Sequence, residues 1–176
     1  MISWLKQWFS KKPKKVTMIA AIQKDRGIGY QGKLIHNIKN DMAHFVKQTE
    51  GHVVIMGRKN WESIPEKYRP LPGRTNIVVT RDPSYQAIGA QVINNIEAAI
   101  DQSGREQVFI IGGGELYHLA LPYATDLDLT MIEAQEPADV FFPEFENEFM
   151  LSSSSEPVVD DTTNTSYRFT TWRRKG

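Results

Sequence analysis

The chain has 176 residues, 40% hydrophobic and 24% charged, with 4 Trp, 6 Tyr and 8 Phe to furnish a core. That size fits one ordinary domain and excludes both a pair of large domains and a disordered polymer. The 21 basic and 21 acidic side chains cancel, which argues against a nucleic-acid partner, and the absence of cysteine excludes disulfides, thiolate catalysis and Cys-based zinc sites. The histidines His36, His44, His52 and His118 show no helical metal spacing, so no metal is expected.

The charge is unevenly spread. Residues 1–15 hold five of the lysines and no acid, so the remainder carries 16 basic against 21 acidic residues. Within Met1–Ser10, Ile2, Trp4, Leu5, Trp8 and Phe9 fall near a helical period, and Lys11, Lys12, Lys14 and Lys15 follow. A secretory signal has its charges before the apolar stretch, the reverse of this order. Cytoplasmic residence is the expectation. The segment reads either as an interfacial helix for a membrane surface or protein partner, or as a tail packed on the domain. The expected organisation is a basic extension over 1–15 and one monomeric domain over 16–176. No apolar run approaches the roughly 18 residues of a membrane span.

Beyond the extension, Thr17–Ile22 reads as a buried strand ending at a polar turn, Lys24–Gly27. Met42, Ala43, Phe45 and Val46 predict a helix over Asn40–Glu50, stopped by Gly51. His52–Met56 is a strand ending at Gly57, and Lys59–Ile64 a short helix ended by Pro65. Asn76–Thr80 is a strand. Ala90–Ile93 leads into a helix over Asn95–Ser103, with an Asn at its start. Val108–Ile111 is a strand entering three glycines, with a helix over Glu115–Leu121 beyond. Leu127–Glu133 is a strand. Phe149–Pro157 and Ser166–Trp172 form a hairpin around a polar connection, Asp160–Thr165. The alternation predicts an α/β fold: a mixed, mostly parallel central sheet flanked by helices and closed by a C-terminal antiparallel hairpin.

Three features carry chemistry. In Ile111–Tyr117 (IGGGELY), glycines allow backbone N–H groups close to a phosphate at a helix start, although three glycines also suit a tight turn. In Val53–Ser63 a second strand–Gly–helix turn carries Arg58 and Lys59, and a third strand ends at Thr80–Arg81. Such cations suit a polyphosphate or sit solvated at the surface. Asp41 lies in the first turn of its helix beside Met42, Phe45 and Val46. It is either a helix-dipole partner or a partly buried acid of raised pKa.

The runs MIAAIQKDRGIG (Met18–Gly29), Asp41 with Phe45, VIMGRKNWESIP (Val54–Pro65), LPGRTNIVVTR (Leu71–Arg81), FIIGGGELY (Phe109–Tyr117) and VFFPEF (Val140–Phe145) resemble dihydrofolate reductase in order and spacing. The resemblance spans Val16 to about Lys175. It implies NADPH-dependent reduction of 7,8-dihydrofolate to tetrahydrofolate, with dihydrofolate and antifolates such as trimethoprim as ligands. On it, Asp41 binds the pterin amino and ring nitrogens and Thr130 supports the acid. Ile19, Ala20, Met42, Phe45, Ile64 and Ile111 line the folate pocket, and Arg74 clamps the glutamate carboxylate. Arg58, Lys59, Asn60, Thr80 and Arg81 hold the adenosine phosphates. Gly57, Gly112, Gly113, Gly114, Glu115, Leu116 and Tyr117 form the pyrophosphate and nicotinamide cradle, the family's cis peptide falling at Gly112–Gly113. Ala21 and Ile28 contact the nicotinamide, Asp139 steadies a lid over Ile28–Asn37, and the resemblance implies a catalytic set of Asp41, Leu34, His36, Tyr117 and Thr130.

The lid departs from the family: His36 stands where a tryptophan positions a water, and it is either a tolerated substitution that still holds a water or a source of altered pH dependence, lid dynamics or antifolate response. Asn60 stands where a threonine is common beside a phosphate. The rival readings are a reductase of another pterin or pyrimidinone, and a non-catalytic folate- or NADPH-binding module.

Overall fold

A computed structural model describes residues 15–176, so the expectations for the first fourteen residues lie outside the described residues. Five strands read from apolar runs form the parallel body of a nine-stranded sheet: β1 (Lys15–Gln23), β4 (Val53–Gly57), β5 (Thr75–Val79), β7 (Gln107–Ile110) and β8 (Asp126–Ile132). A short β6 (Gln91–Ile93) extends one edge. The antiparallel β12 (Ser166–Arg174), with β10 (Phe149–Ser154) and β11 (Val158–Val159), closes the other. The order is β10-β12-β8-β1-β7-β4-β5-β6, the mixed sheet expected.

The central strands are apolar at nearly every position because both faces are covered. Met18, Val53, Ile55, Val108 and Ile110 face α3 (Ile96–Gln102) and α4 (Gly114–Ala120). Their neighbours Ile19, Val54, Met56 and Phe109 face the side bearing Phe45 of α1 (Lys39–Thr49) and Trp61 of α2 (Arg58–Ser63). The expected Asn cap is present: the Asn95 side chain accepts from Ala98 N at 2.7 Å.

The structure revises two boundaries for physical reasons. Helix α4 starts at Gly114, inside the glycine run. Strand β12 runs on to Arg174, whose guanidinium donates to the carbonyls of Ala124 and Leu121 and to Glu148. A second sheet escaped the sequence reading: β2 (Gly27–Tyr30), β3 (Lys33–Leu34) and β9 (Val140–Phe141), in the order β3-β2-β9. Its β2–β3 hairpin takes up the first part of the segment expected to be a lid.

The register creates a cleft. Strand β7 pairs with β1 only from Lys15 to Met18, whereas β8 follows β1 as far as Gln23. Beyond Met18, Ile19–Gln23 therefore has a neighbour on one side only. The cleft opens at the carboxyl ends of β1, β4 and β7, where α/β sheets present ligand sites.

Candidate active site

Helix α1 and strand β8 set an acid at the floor of this cleft. Thr130, buried on β8, donates its hydroxyl to Asp41 Oδ1 at 2.6 Å. Burial raises the Asp41 carboxyl above the ordinary aspartate range; the Thr130 hydrogen bond and the His44 charge act against it, and the Asp128 charge adds to it. Of the two sequence readings of Asp41, this setting favours the partly buried acid. Tyr117 is fully buried on α4 and donates to Ile19 O at 2.7 Å, joining the glycine turn to β1. Burial, reinforced by the Asp41 charge, keeps its phenol protonated.

Four of the six predicted pocket residues come together, whereas Ala20 packs on the main core and Met42 is exposed. Buried Ile19 forms one cluster with Phe45, Ile64 and Ile111, while Ala20 and Ala21 are half-buried on β1 and Met42 is exposed at 50%. At the mouth, the Arg74 guanidinium lies 5.7 Å from the Phe45 ring centroid and donates to Thr49 Oγ1 at 3.1 Å and Pro72 O at 2.9 Å. Two acceptors thus hold the fork, and its remaining N–H groups are not taken by them.

The two glycine turns abut: Gly57 N donates to Gly112 O at 2.8 Å. The Gly112–Gly113 peptide is cis, at the expected position. Gly112 has φ +105°, and a Cβ there would meet the Tyr117 ring at 3.0 Å, so the position takes glycine on both conformation and contact. Nothing lies within 4 Å of a Cβ built on Gly113, which leaves an open backbone face. Glu115 is exposed on the first turn of α4, whereas the Leu116 side chain belongs to the core, leaving only its backbone toward the turn.

The cations are less uniform than the sequence suggests. Arg58 pairs with Glu62 at 3.5 Å and Asp82 at 3.7 Å and lies over Tyr85, so acids already share its charge. Lys59 and Arg81 are exposed and, among the described residues, have no ion-pair partner. The Asn60 amide donates to Ile111 O at 3.0 Å and ties α2 to the pocket wall. Half-buried Thr80 turns its hydroxyl to Asp82 N.

The lid residues separate. Ile28 packs on the main core, but Leu34 is 76% exposed. His36 Nε2 lies 2.9 Å from Gln23 Oε1. Gln23, at the end of β1 and 1% exposed, also accepts from Glu136 N at 3.0 Å and donates to Glu136 O at 2.7 Å and Asp25 Oδ1 at 2.9 Å. Burial lowers the His36 pKa, opposed by the Glu136 charge. Asp139 accepts from Gln31 N at 2.9 Å, which ties the turn after β2 to the segment before β9.

Sequence reading missed three side chains here: Gln23, His44 and Asp128. Gln23 was legible as a polar residue closing an apolar strand. His44 and Asp128 were legible as polar positions one helical turn from Asp41 and two strand positions from Thr130.

The sequence model of the dihydrofolate reductase family matches residues 15–174. The dihydrofolate reductase of Bacillus subtilis is 40% identical over 162 residues, covering 91% of this chain and 95% of that protein. That of Neisseria meningitidis serogroup A is 38% identical over 161 residues, covering 91% and 98%. Among solved structures, Enterococcus faecalis dihydrofolate reductase complexed with NADP(H) and RAB-propyl superposes with a TM-score of 0.82 at 30% identity, covering 93% of this chain and 98% of that one.

Proposed function

The chain belongs to the dihydrofolate reductase family, and on that premise we propose that Asp41, Thr130 and Arg74 bind the folate while the two glycine turns hold the nicotinamide cofactor. The reaction is the NADPH-dependent reduction of 7,8-dihydrofolate to 5,6,7,8-tetrahydrofolate. The observation that carries the assignment is the half-buried Asp41 carboxyl, fixed by Thr130 at 2.6 Å in a cleft otherwise lined by Ile19, Phe45, Ile64 and Ile111.

A carboxylate with one oxygen on Thr130 keeps acceptor capacity for the adjacent amino and ring N–H groups of a pterin. Its raised proton affinity favours the substrate form in which the neighbouring ring nitrogen takes up a proton. Met42 and Ala20 complete the apolar wall, and the free N–H groups of Arg74 suit the glutamate carboxylate. NADPH fits the abutting turns, whose open face at Gly113 admits a phosphate close to backbone N–H groups; when bound it supplies the hydride. Gly57, Gly112, Gly114, Glu115 and Leu116 contribute backbone to this cradle. Lys59 and Arg81, with the shared Arg58, balance phosphate charge beside Asn60 and Thr80. Ala21, Ile28 and Tyr117 border the nicotinamide, and the lid bearing Leu34 and His36 excludes water. NADPH oxidation with dihydrofolate tests the assignment, run beside other pterins and with and without trimethoprim. Preference for another pterin overturns the folate reading, and His36 is the residue proposed to alter the trimethoprim response.

Residues 1–15 are proposed as an appendage to a monomeric cytoplasmic reductase domain over 16–176, its lysines suited to an anionic membrane surface or an acidic protein partner. Among the described residues no helix is long and apolar enough to cross a membrane. Lys15 opens β1 and donates to Glu106 O, so the informative deletion stops at residue 14. Co-sedimentation with anionic vesicles that survives this deletion removes the membrane role.

A further inference from the structure

Helix α1 reaches β8 through two polar contacts, not one. Beside the Asp41–Thr130 pair, His44 Nε2 lies 2.8 Å from Asp128 Oδ1. Residues three apart share a helix face, and residues two apart share a strand face, so the two contacts are neighbours. Asp128 is 6% exposed, and a carboxylate only accepts, so the Nε2–H donates to it. The imidazole is further held by the Phe169 ring, stacked at 4.3 Å and 20°, and Phe169 is itself the register partner of Thr130 across β8 and β12. A buried acid and a clamped imidazole one helical turn from the proposed reactive carboxyl are more than packing requires, since an apolar pair would fill the same space.

Resting on the assignment of Asp41, we propose that His44 and Asp128 form a positioning pair, a hydrogen-bonded imidazole–carboxylate couple that aligns α1 on β8 and sets the local field at the Asp41 carboxyl. The groups that bear on Asp41 are His44 from its own helix and Asp128 and the Thr130 hydroxyl from β8, while the buried Tyr117 phenol from α4 in turn feels the Asp41 charge. Strand β12 presents to this cluster the Phe169 ring and the Tyr167 hydroxyl, which accepts from Asn40. Lys47, one turn beyond His44, is exposed. The His44 charge lowers and the Asp128 charge raises the proton affinity of Asp41, so the two ends of the pair act in opposite senses.

That opposition supplies the test. His44→Gln keeps an N–H for Asp128 but leaves its negative charge unbalanced. Asp128→Asn keeps an acceptor for His44 and removes that negative charge. The Asp41-dependent inflection of kcat/KM for dihydrofolate should fall at higher pH in H44Q than in D128N, by about one pH unit. A carbon-13 titration of the Asp41 carboxyl in the full-length enzyme should give the same order. Coincident or reversed inflections overturn the proposal, because a merely structural role moves both variants alike. Phe169→Leu removes the stack without removing charge, and a shift as large as that of H44Q would assign the effect to packing and overturn it. If either charge variant fails to fold, the wild type decides: the His44 ring nitrogen-15 shifts should step at the Asp41 midpoint, and no step overturns the coupling. The carboxyl titration reads the pair without turnover, whereas Asp41→Asn activity tests the underlying assignment, so the two failures are distinguishable.

Discussion

The floor of the cleft and the lid above it each hold a histidine on one buried partner, and the partners differ in charge. In the floor, His44 meets the Asp128 carboxylate at 2.8 Å between two elements of the main fold. In the lid, His36 meets the neutral Gln23 amide at 2.9 Å, and that amide also holds Glu136 and Asp25. The carboxylates differ in parallel. Donors from Gln23 and Gly27 hold Asp25 below the usual range, whereas burial lifts Asp41 above it. The floor is therefore an electrostatic device and the lid a mechanical one, and the partner, not the histidine, decides which.

The largest expected effect is on the floor. Asp41→Asn should bind NADPH normally yet lose turnover by about a hundredfold or more near neutral pH, as NADPH oxidation reads directly. Wild-type-like rates would sink the role. The same variant carries a stability signature of opposite sign. The folded protein holds the Asp41 proton more tightly than the unfolded chain, so stability falls as pH rises from the ordinary carboxylate range through the raised native value. Asp41→Asn should therefore melt above the wild type at neutral pH, and the two should converge in acid.

The lid should answer differently. Gln23→Leu strands the Glu136 N–H and C=O groups and should cost about 2 kcal/mol or more. Amide exchange should accelerate in Gly27–Tyr30 before it does in β8. Equal acceleration in both would erase the distinction between floor and lid. Gly114→Ala attacks their junction, since its Cβ would strike the Val140 side chain of β9. It should weaken NADPH binding more than it lowers the melting temperature, as titration and thermal unfolding would show.

What the sequence made visible follows the same division. The central strands declare themselves because both faces are buried, and Val53–Met56 or Asn76–Val79 admit no other reading. The small sheet stays hidden because β3 and β9 are two residues each and β2 is half glycine, too short for a period to form. Asp41 and Arg74 stand out within long motifs. The His44–Asp128 pair spans 84 positions and becomes an object only when α1 lies on β8. Asn60 could be placed but not oriented: its amide turns to Ile111 O, a bond fixed by where β7 ends.

The smallest effect expected is that of His36→Trp, and it separates the two devices most cleanly. Burial disfavours the charged imidazole at position 36, so the unfolded chain binds that proton more readily than the folded one. Stability linked to the lid is present above the ordinary histidine value and is lost as pH falls from it through the lowered native one. Tryptophan has no such proton. His36→Trp should flatten the acid-side decline in lid protection from exchange and change kcat or trimethoprim affinity by only a few-fold, roughly 1 kcal/mol. The kcat/KM inflection set by Asp41 should stay in place, because the lid histidine bonds to an amide and places no carboxylate beside the acid. A displaced inflection in this variant would mean that lid and floor share one electrostatic circuit.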